Sequence, residues 1–200
     1  MKALFFISVT YVLLLNAGQN SANEERCKIT NLEQHLTRLN IFFKELRHRA
    51  ALGKKYQTVA LGEGGLMYYL NRTDNLQKDA QEMLKSPSKE GPLKSRSIIF
   101  HRELDAVYGG AYTSVYQLVE MMRINPKILG QMLYPKTTGY GCHVEGFSKK
   151  SKCYLKGACV FDKEAPVDYE MEKKACTKND DCTYEKPATC LYPLCYAQKK

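Results

Sequence analysis

The chain reads as a mainly α fold: an N-terminal helical lobe of about three to five helices, followed by a small disulfide-rich module of irregular and β-hairpin structure. Three observations predict this. Apolar residues recur at helical spacing through much of the stretch from Cys27 to Leu133. Seven of the eight cysteines lie beyond Lys136. Turn residues, not long apolar runs, fill that C-terminal part, so bridges rather than a large core are expected to hold it.

The chain opens on Met1-Lys2 and then runs from Ala3 to Leu15 without a charge. A permanent membrane helix needs roughly 20 apolar residues, so this block is too short to be one. The small and polar residues after it supply a cleavage site. Residues 1–22 are therefore read as a secretory signal peptide cut between Gly18 and Ala22. No second apolar block of spanning length follows, and the mature chain is expected to be soluble and extracellular.

Residues 23–135 form the expected helical domain. Thr30-Asn31-Leu32-Glu33 has the form of a capping box, in which the threonine hydroxyl and the glutamate carboxylate satisfy free amides at a helix start. Leu32, Leu36, Leu39, Phe43, Leu46 and Ala50 then mark one apolar stripe, and Gly53 sits where a left-handed helix end is wanted. Gly62-Glu63-Gly64-Gly65 is a turn without the features of a phosphate loop. Thr73 is placed to cap a second helix carrying Leu76, Ala80, Met83 and Leu84, which Ser86-Pro87 stops. Ser88 to Arg96 reads as a loop. A third helical run is expected from Ser97 through Ile98, Ile99, Phe100, Leu104, Ala106 and Val107. It pauses at Gly109-Gly110 and resumes through Tyr112, Val115, Tyr116, Val119 and Met122 until Pro126. Ile128 to Leu133 suggest one more short helix. Tyr108, Tyr112 and Tyr116, four apart, are expected to be half-buried.

Residues 136–200 form the expected cysteine-rich module. Tyr154-Leu155 and Cys159-Val160-Phe161 around Lys156-Gly157-Ala158 suggest a small hairpin. Four bridges are expected among Cys27, Cys142, Cys153, Cys159, Cys176, Cys182, Cys190 and Cys195. Eight cysteines allow 105 pairings. Seven in the module is an odd number, so full pairing requires Cys27 to reach into it. Asn71-Arg72-Thr73 is an acceptor motif for N-linked sugar, which makes a glycoprotein the expectation.

The net charge is +9 at pH 7, with 30 Lys and Arg against 21 Asp and Glu. Outside a cell such a balance favours sulfated glycans or anionic lipid head groups over nucleic acid, and solubility alone is also a sufficient reason for it. The surfaces marked for testing are Lys44, Arg47, Arg49, Lys54 and Lys55 near the end of the first helix, and Lys149, Lys150 and Lys152 further on.

Chemistry is mostly excluded. Gly139-Tyr140-Gly141-Cys142-His143-Val144-Glu145-Gly146 resembles the calcium loop of secreted phospholipases A2. That family implies a following His-Asp helix, whereas His143 is the last histidine here and Val144 stands in place of the second loop cysteine. The resemblance therefore implies at most a catalytically dead relative. His35, His48, His101 and His143 show no paired ligand spacing, and His101 with Asp105 is read as a helical surface pair. No Gly-x-Ser-x-Gly elbow and no His-Glu-x-x-His helix is present. No catalytic residue, cofactor or metal is assigned. The spacing Cys176-x5-Cys182-x7-Cys190-x4-Cys195, with Asn179-Asp180-Asp181, loosely resembles small extracellular cysteine modules, including the tail region of some secreted CAP-superfamily proteins. The CAP domain itself leaves no recognisable trace upstream.

The expected function is that of a secreted, non-enzymatic, disulfide-stabilised protein that binds an extracellular protein or receptor, a toxin or host-directed effector being one version; the oligomeric state is left open. The alternative is a precursor that releases the four-cysteine peptide 175–198 at Lys173-Lys174 and Lys199-Lys200. Basic pairs number four, about as many as this basic content gives by chance.

Overall fold

A computed structural model describes Cys27, Ile29 and residues 31–86, 92–104, 112–149, 152–170 and 174–198. The signal segment, Thr30, Asp105, Tyr108, Gly109-Gly110, Lys150, Lys173 and Lys199-Lys200 lie outside the described residues.

The fold is α/β, which corrects the mainly α expectation. Four helices of eight residues or more, α1 (Leu32–Ala51), α2 (Asp74–Lys85), α3 (Thr113–Ile124) and α4 (Pro126–Leu133), a single helical turn at Pro92–Ser95 inside the stretch expected to be a loop, and a 3-10 turn at Asn179–Asp181 accompany seven strands among the described residues. The strands are β1 (Met67–Tyr68), β2 (Asn71–Arg72), β3 (Ser97–Glu103), β4 (Gly139–Lys149), β5 (Lys152–Phe161), β6 (Ala188–Leu191) and β7 (Leu194–Ala197). They form two mixed sheets, ordered β2-β4-β5-β3 and β1-β7-β6. The larger sheet takes β2 and β3 from before residue 135 and β4 and β5 from after it.

The stretch expected to start a third helix is β3. Ile98 and Phe100 are buried while Ile99 and His101 are exposed, and every residue from Ser97 to Glu103 has a partner on β5. Period-two burial along a continuous ladder outweighs the local helical reading of Ile98-Ile99-Phe100-Leu104. His101 therefore stands on a strand, and the helical pairing expected with Asp105 does not apply. The phospholipase-like segment is also a strand, the first eight residues of β4. Gly157 does not turn a hairpin, for β5 runs straight through it. A Cβ there would come within 2.2 Å of the Phe100 ring.

The apolar faces explain the layering. In α1, Leu36, Leu39, Phe43, Leu46 and Ala50 are buried as the stripe requires. They join Ile98, Phe100, Tyr140, Cys142, Val144, Leu155 and Phe161, with Leu118, Met122 and Met132 from α3 and α4, in the main core. On the other face of the sheet, Leu76, Ala80, Met83 and Leu84 of α2 close over Ala158 and Val160. Alternation along β4 and β5 produces both faces. The start of α1 is capped by Asn31, whose Oδ1 accepts from Gln34 N at 3.0 Å. Glu33, expected to complete a capping box with Thr30, pairs instead with Arg72 at 2.7 Å. Asn125 ends α3 and also caps α4, accepting from Lys127 N at 3.0 Å, and Pro126 opens α4.

Close approach of α2 to the sheet depends on Gly141, where a Cβ would lie 2.0 Å from Gln77 N and 2.2 Å from Leu76 C. Both obstacles are backbone, so no rotamer change relieves them. Gly141→Ala is expected to cost about 3 kcal/mol, the upper end for overpacking, read by urea denaturation. A cost under about 1 kcal/mol would show that α2 is free to lift.

All eight cysteines are bonded: Cys27–Cys153, Cys142–Cys159, Cys176–Cys190 and Cys182–Cys195. The C-terminal segment docks through β7, which pairs in parallel with β1, and through Tyr69 N, which donates to Cys195 O at 2.8 Å. The Tyr68 hydroxyl donates to Glu185 O and accepts from Glu185 N, both at 3.0 Å.

Candidate interaction surface

The expected basic surface divides. Lys44, Lys54, Lys55, Lys149 and Lys152 are exposed. Lys152 is paired with Glu103 at 2.6 Å at the end of the β4–β5 ladder where the two strands connect, away from the end of α1 in the chain. Arg47 is not at the surface at all. It is fully buried, and its guanidinium donates to the carbonyls of Met132, Tyr134, Pro135 and Thr137 at 2.9 to 3.3 Å. These are the last carbonyls of α4 and the turn beyond it, where a helix end carries partial negative charge. The burial pushes Arg47 down to about 9, opposed by Tyr169 and Asp162. Its place on the inner side of α1, one residue after Leu46, was the signal for burial.

A second surface carries more apolar character. Tyr112 and Tyr116, one helical turn apart at the start of α3, are 51% and 52% exposed, in line with the half-buried state expected. Ile41 on α1 is 49% exposed. It stands off the buried stripe, which is the signal that could have found it. Arg38, Ile41, Glu45 and Arg49 follow one another at spacings of three and four and so share a face of α1. The two helices meet across this face: the Arg38 guanidinium lies 4.4 Å from the Tyr112 ring centre. Arg49 is fixed by Glu45 at 2.9 Å and by Lys55 O at 3.3 Å, and lies 6.0 Å from the Tyr56 ring. Burial pushes the Tyr56 hydroxyl up, with Glu45 and Tyr116 adding to the shift and Arg49 opposing it. The result is a patch of two tyrosines and an isoleucine set among Arg38, Arg49, Lys44, Lys54 and Lys55, with Glu45 as its one acid among these residues.

Elsewhere among the described residues, His35 and His143 have close polar partners. His35 Nδ1 lies 3.1 Å from Ser114 Oγ, but both residues are buried and the pair joins α1 to α3. Burial pushes His35 down. His143 on β4 is also pushed down by burial, against the pull of Glu145 at 3.4 Å, and Glu145 is shared with Lys156 at 3.0 Å. These three are neighbouring positions of the sheet surface. Among the described residues, Cys176, Cys182 and Cys195 place three donor atoms together as a metal site would. All three sulfurs are spent in disulfides.

No protein-family model matches the chain, and no curated protein sequence matches it. Solved structures do. Manganese-bound Ac-ASP-7, an Ancylostoma-secreted protein, is 26% identical, with a TM-score of 0.64 over 80% of this chain and 85% of that one. Na-ASP-1 is 17% identical, with a TM-score of 0.63 over 87% of this chain and 48% of its own. BmVAL-1 is 15% identical, with a TM-score of 0.62 over 83% and 95%. These neighbours are secreted CAP-like α-β-α sandwich proteins, and the present fold is of that kind. The likeness thus runs far upstream of the cysteine tail in which alone a CAP resemblance was legible. Four disulfides and these neighbours fit an extracellular location, and no helix among the described residues is long and apolar enough to cross a membrane. The manganese belongs to Ac-ASP-7.

Proposed function

We propose that this chain is a secreted effector that acts by binding, without catalysis, and that its partner is an extracellular protein presenting an acidic face to the Tyr112–Tyr116–Ile41 patch. One observation carries this reading: a helix whose inner side belongs to the main core turns two tyrosines, each about half exposed, outward beside Arg38. Tyrosine and arginine are the residues on which binding energy concentrates at protein interfaces. The flanking Lys44, Lys54 and Lys55 supply a positive rim that speeds approach of an acidic partner. The neighbours of the fold are extracellular proteins, in keeping with such a partner.

The test uses the labelled, oxidised protein on cultured animal cells, untreated, trypsin-shaved or heparinase-treated. Binding is expected to survive heparinase and to fall on trypsin shaving. The double change Tyr112→Ala and Tyr116→Ala is expected to weaken it at least about tenfold, as loss of central aromatic anchors does. Lys149→Glu with Lys152→Glu serves as the control and is expected to leave binding within about twofold. Equal binding by the tyrosine variant, at unchanged melting temperature, would overturn the proposal. Loss to heparinase alone would favour the sulfated-glycan reading.

The precursor reading has one observation in its favour. Cys176–Cys190 and Cys182–Cys195 close within residues 175–198, and no bridge joins that segment to the rest. Against it, Leu194 is part of the main core and β7 is paired with β1, so a cut chain would keep the peptide docked. Mass spectrometry of the secreted product under native and denaturing conditions separates a free peptide, a nicked but docked chain and an intact one.

A further inference from the structure

We propose that Asn71 carries an N-linked glycan whose first sugars lie in the cleft between β2, the start of α2 and the end of β7. The tripeptide alone is a weak signal, because Asn-x-Thr is short. Its placement in the fold is specific. Asn71 and Arg72 are paired in parallel with Gly139 and Tyr140 at the sheet edge. Asn71 N donates to Thr138 O at 2.8 Å and Thr73 N donates to Tyr140 O at 2.9 Å, so the fold holds the motif by its backbone. Side chains alternate on such a segment. Arg72 goes to Glu33, while Asn71 and Thr73 both line the cleft. The Thr73 hydroxyl makes no capping bond to α2, although it stands at the cap position.

The cleft has a volume of about 370 Å³ and is open to solvent along one side. That is within the range of small-ligand sites. Polar groups of Asn71, Thr73, Asn75, Thr138, Asp162 and Gln198 line it, while most of its exposed wall is apolar, with Leu76 and Ala197 contributing. Amides, a hydroxyl and a carboxylate can bond sugar hydroxyls from both sides, and an apolar side chain can meet the carbohydrate C–H face. Four disulfides place folding in the compartment where such sugars are attached. The donor is an oligosaccharide linked through pyrophosphate to a lipid. Asn71 Nδ2 forms a bond to the anomeric carbon, the carbon–oxygen bond to the pyrophosphate breaks, and the amide proton leaves with the lipid pyrophosphate.

The experiment uses the full chain secreted from eukaryotic cells. Intact mass and peptide mapping are expected to show hexose and N-acetylhexosamine on Asn71. Asn71→Gln and Thr73→Ala are each expected to remove them, and Thr73→Ser to retain them. Unmodified Asn71 in the secreted wild-type chain would overturn the proposal. Placement is tested by hydrogen exchange on three forms: the full glycoform, the form trimmed to its first N-acetylglucosamine, and Thr73→Ala. Amides of residues 74–77 and 194–198 are expected to exchange about threefold more slowly in both glycosylated forms. Equal exchange in all three would show the sugar pointing into solvent and would end the cleft assignment.

Discussion

Arg47→Met is expected to lower stability by about 3 to 5 kcal/mol and the melting temperature by about 10 °C or more. The reasoning starts from what the guanidinium holds. It reaches Met132 O at 3.1 Å, Tyr134 O at 2.9 Å, Pro135 O at 3.3 Å and Thr137 O at 3.2 Å, all within the last turn of α4 and the segment leading to β4. Four carbonyls converge on a fully buried guanidinium, three of them through buried bonds. Methionine fills much of the volume but leaves them without donors, and each orphaned buried group costs about 1 to 3 kcal/mol before relaxation. Arg47→Lys keeps the charge but brings all its donors on one nitrogen, so it is expected to recover less than half of the loss. Lys44→Met, on the exposed side of α1, is expected to change stability by about 0.5 kcal/mol or less. Equilibrium urea unfolding of the oxidised proteins measures all three. A loss under about 1 kcal/mol for Arg47→Met would mean that the carbonyls find other donors and that the guanidinium is not what shapes the turn.

Arg47 also shows where sequence reasoning stops. Its neighbours in the chain, Lys44, His48 and Arg49, are solvated or half-solvated, and composition alone groups it with them. Only the phase of the stripe separates it, because Arg47 follows Leu46 on the inward arc of α1. The stripes themselves were legible: α1 ends at Ala51 before Gly53, whose φ is +65°, and α2 buries the four apolar residues expected. The sheet was not legible, for two physical reasons. Ile98-Ile99-Phe100 gives no clean alternation until β5 is placed beside it. In β4, Gly139, Gly141 and Gly146 imitate a loop, yet Gly141 makes room for the α2 backbone and Gly146 for the Cys27 carbonyl, 1.8 Å from where its Cβ would be. Those are requirements of contacts distant in the chain. The tyrosine patch was missed for a related reason. Tyr112 and Tyr116 were expected to be half-buried from their spacing, which did not show that the core side of α3 belongs to Leu118, Val119 and Met122 and leaves the two rings together at the surface.

The Cys27–Cys153 bridge spans a sequence separation of 126 residues and ties the entry to α1 onto the connected end of the β4–β5 hairpin, where Cys153 faces Ser148. Loop entropy rises with separation, so its removal by Cys27→Ser with Cys153→Ser is expected to cost about 4 to 5 kcal/mol. The bridge between Cys142 and Cys159 closes a separation of only 17, and its two residues already face each other in the β4–β5 ladder. The chain-entropy estimate for that loop is about 3 kcal/mol. The order of the two losses is therefore a test of where the stabilisation resides. If it resides in the unfolded chain, the Cys27 pair must cost more, and its urea m-value must rise because the unfolded ensemble expands. If it resides in native packing, the Cys142 pair must cost more, since both its residues are about 1% exposed or less within the main core. The first order is expected. The folded N-terminal contact is short, with the Cys27 carbonyl seated at Gly146, whereas the chain freed by opening this bridge is more than half of the protein. Equal losses with an unchanged m-value would place the stabilisation in the native hairpin and α1 entry instead.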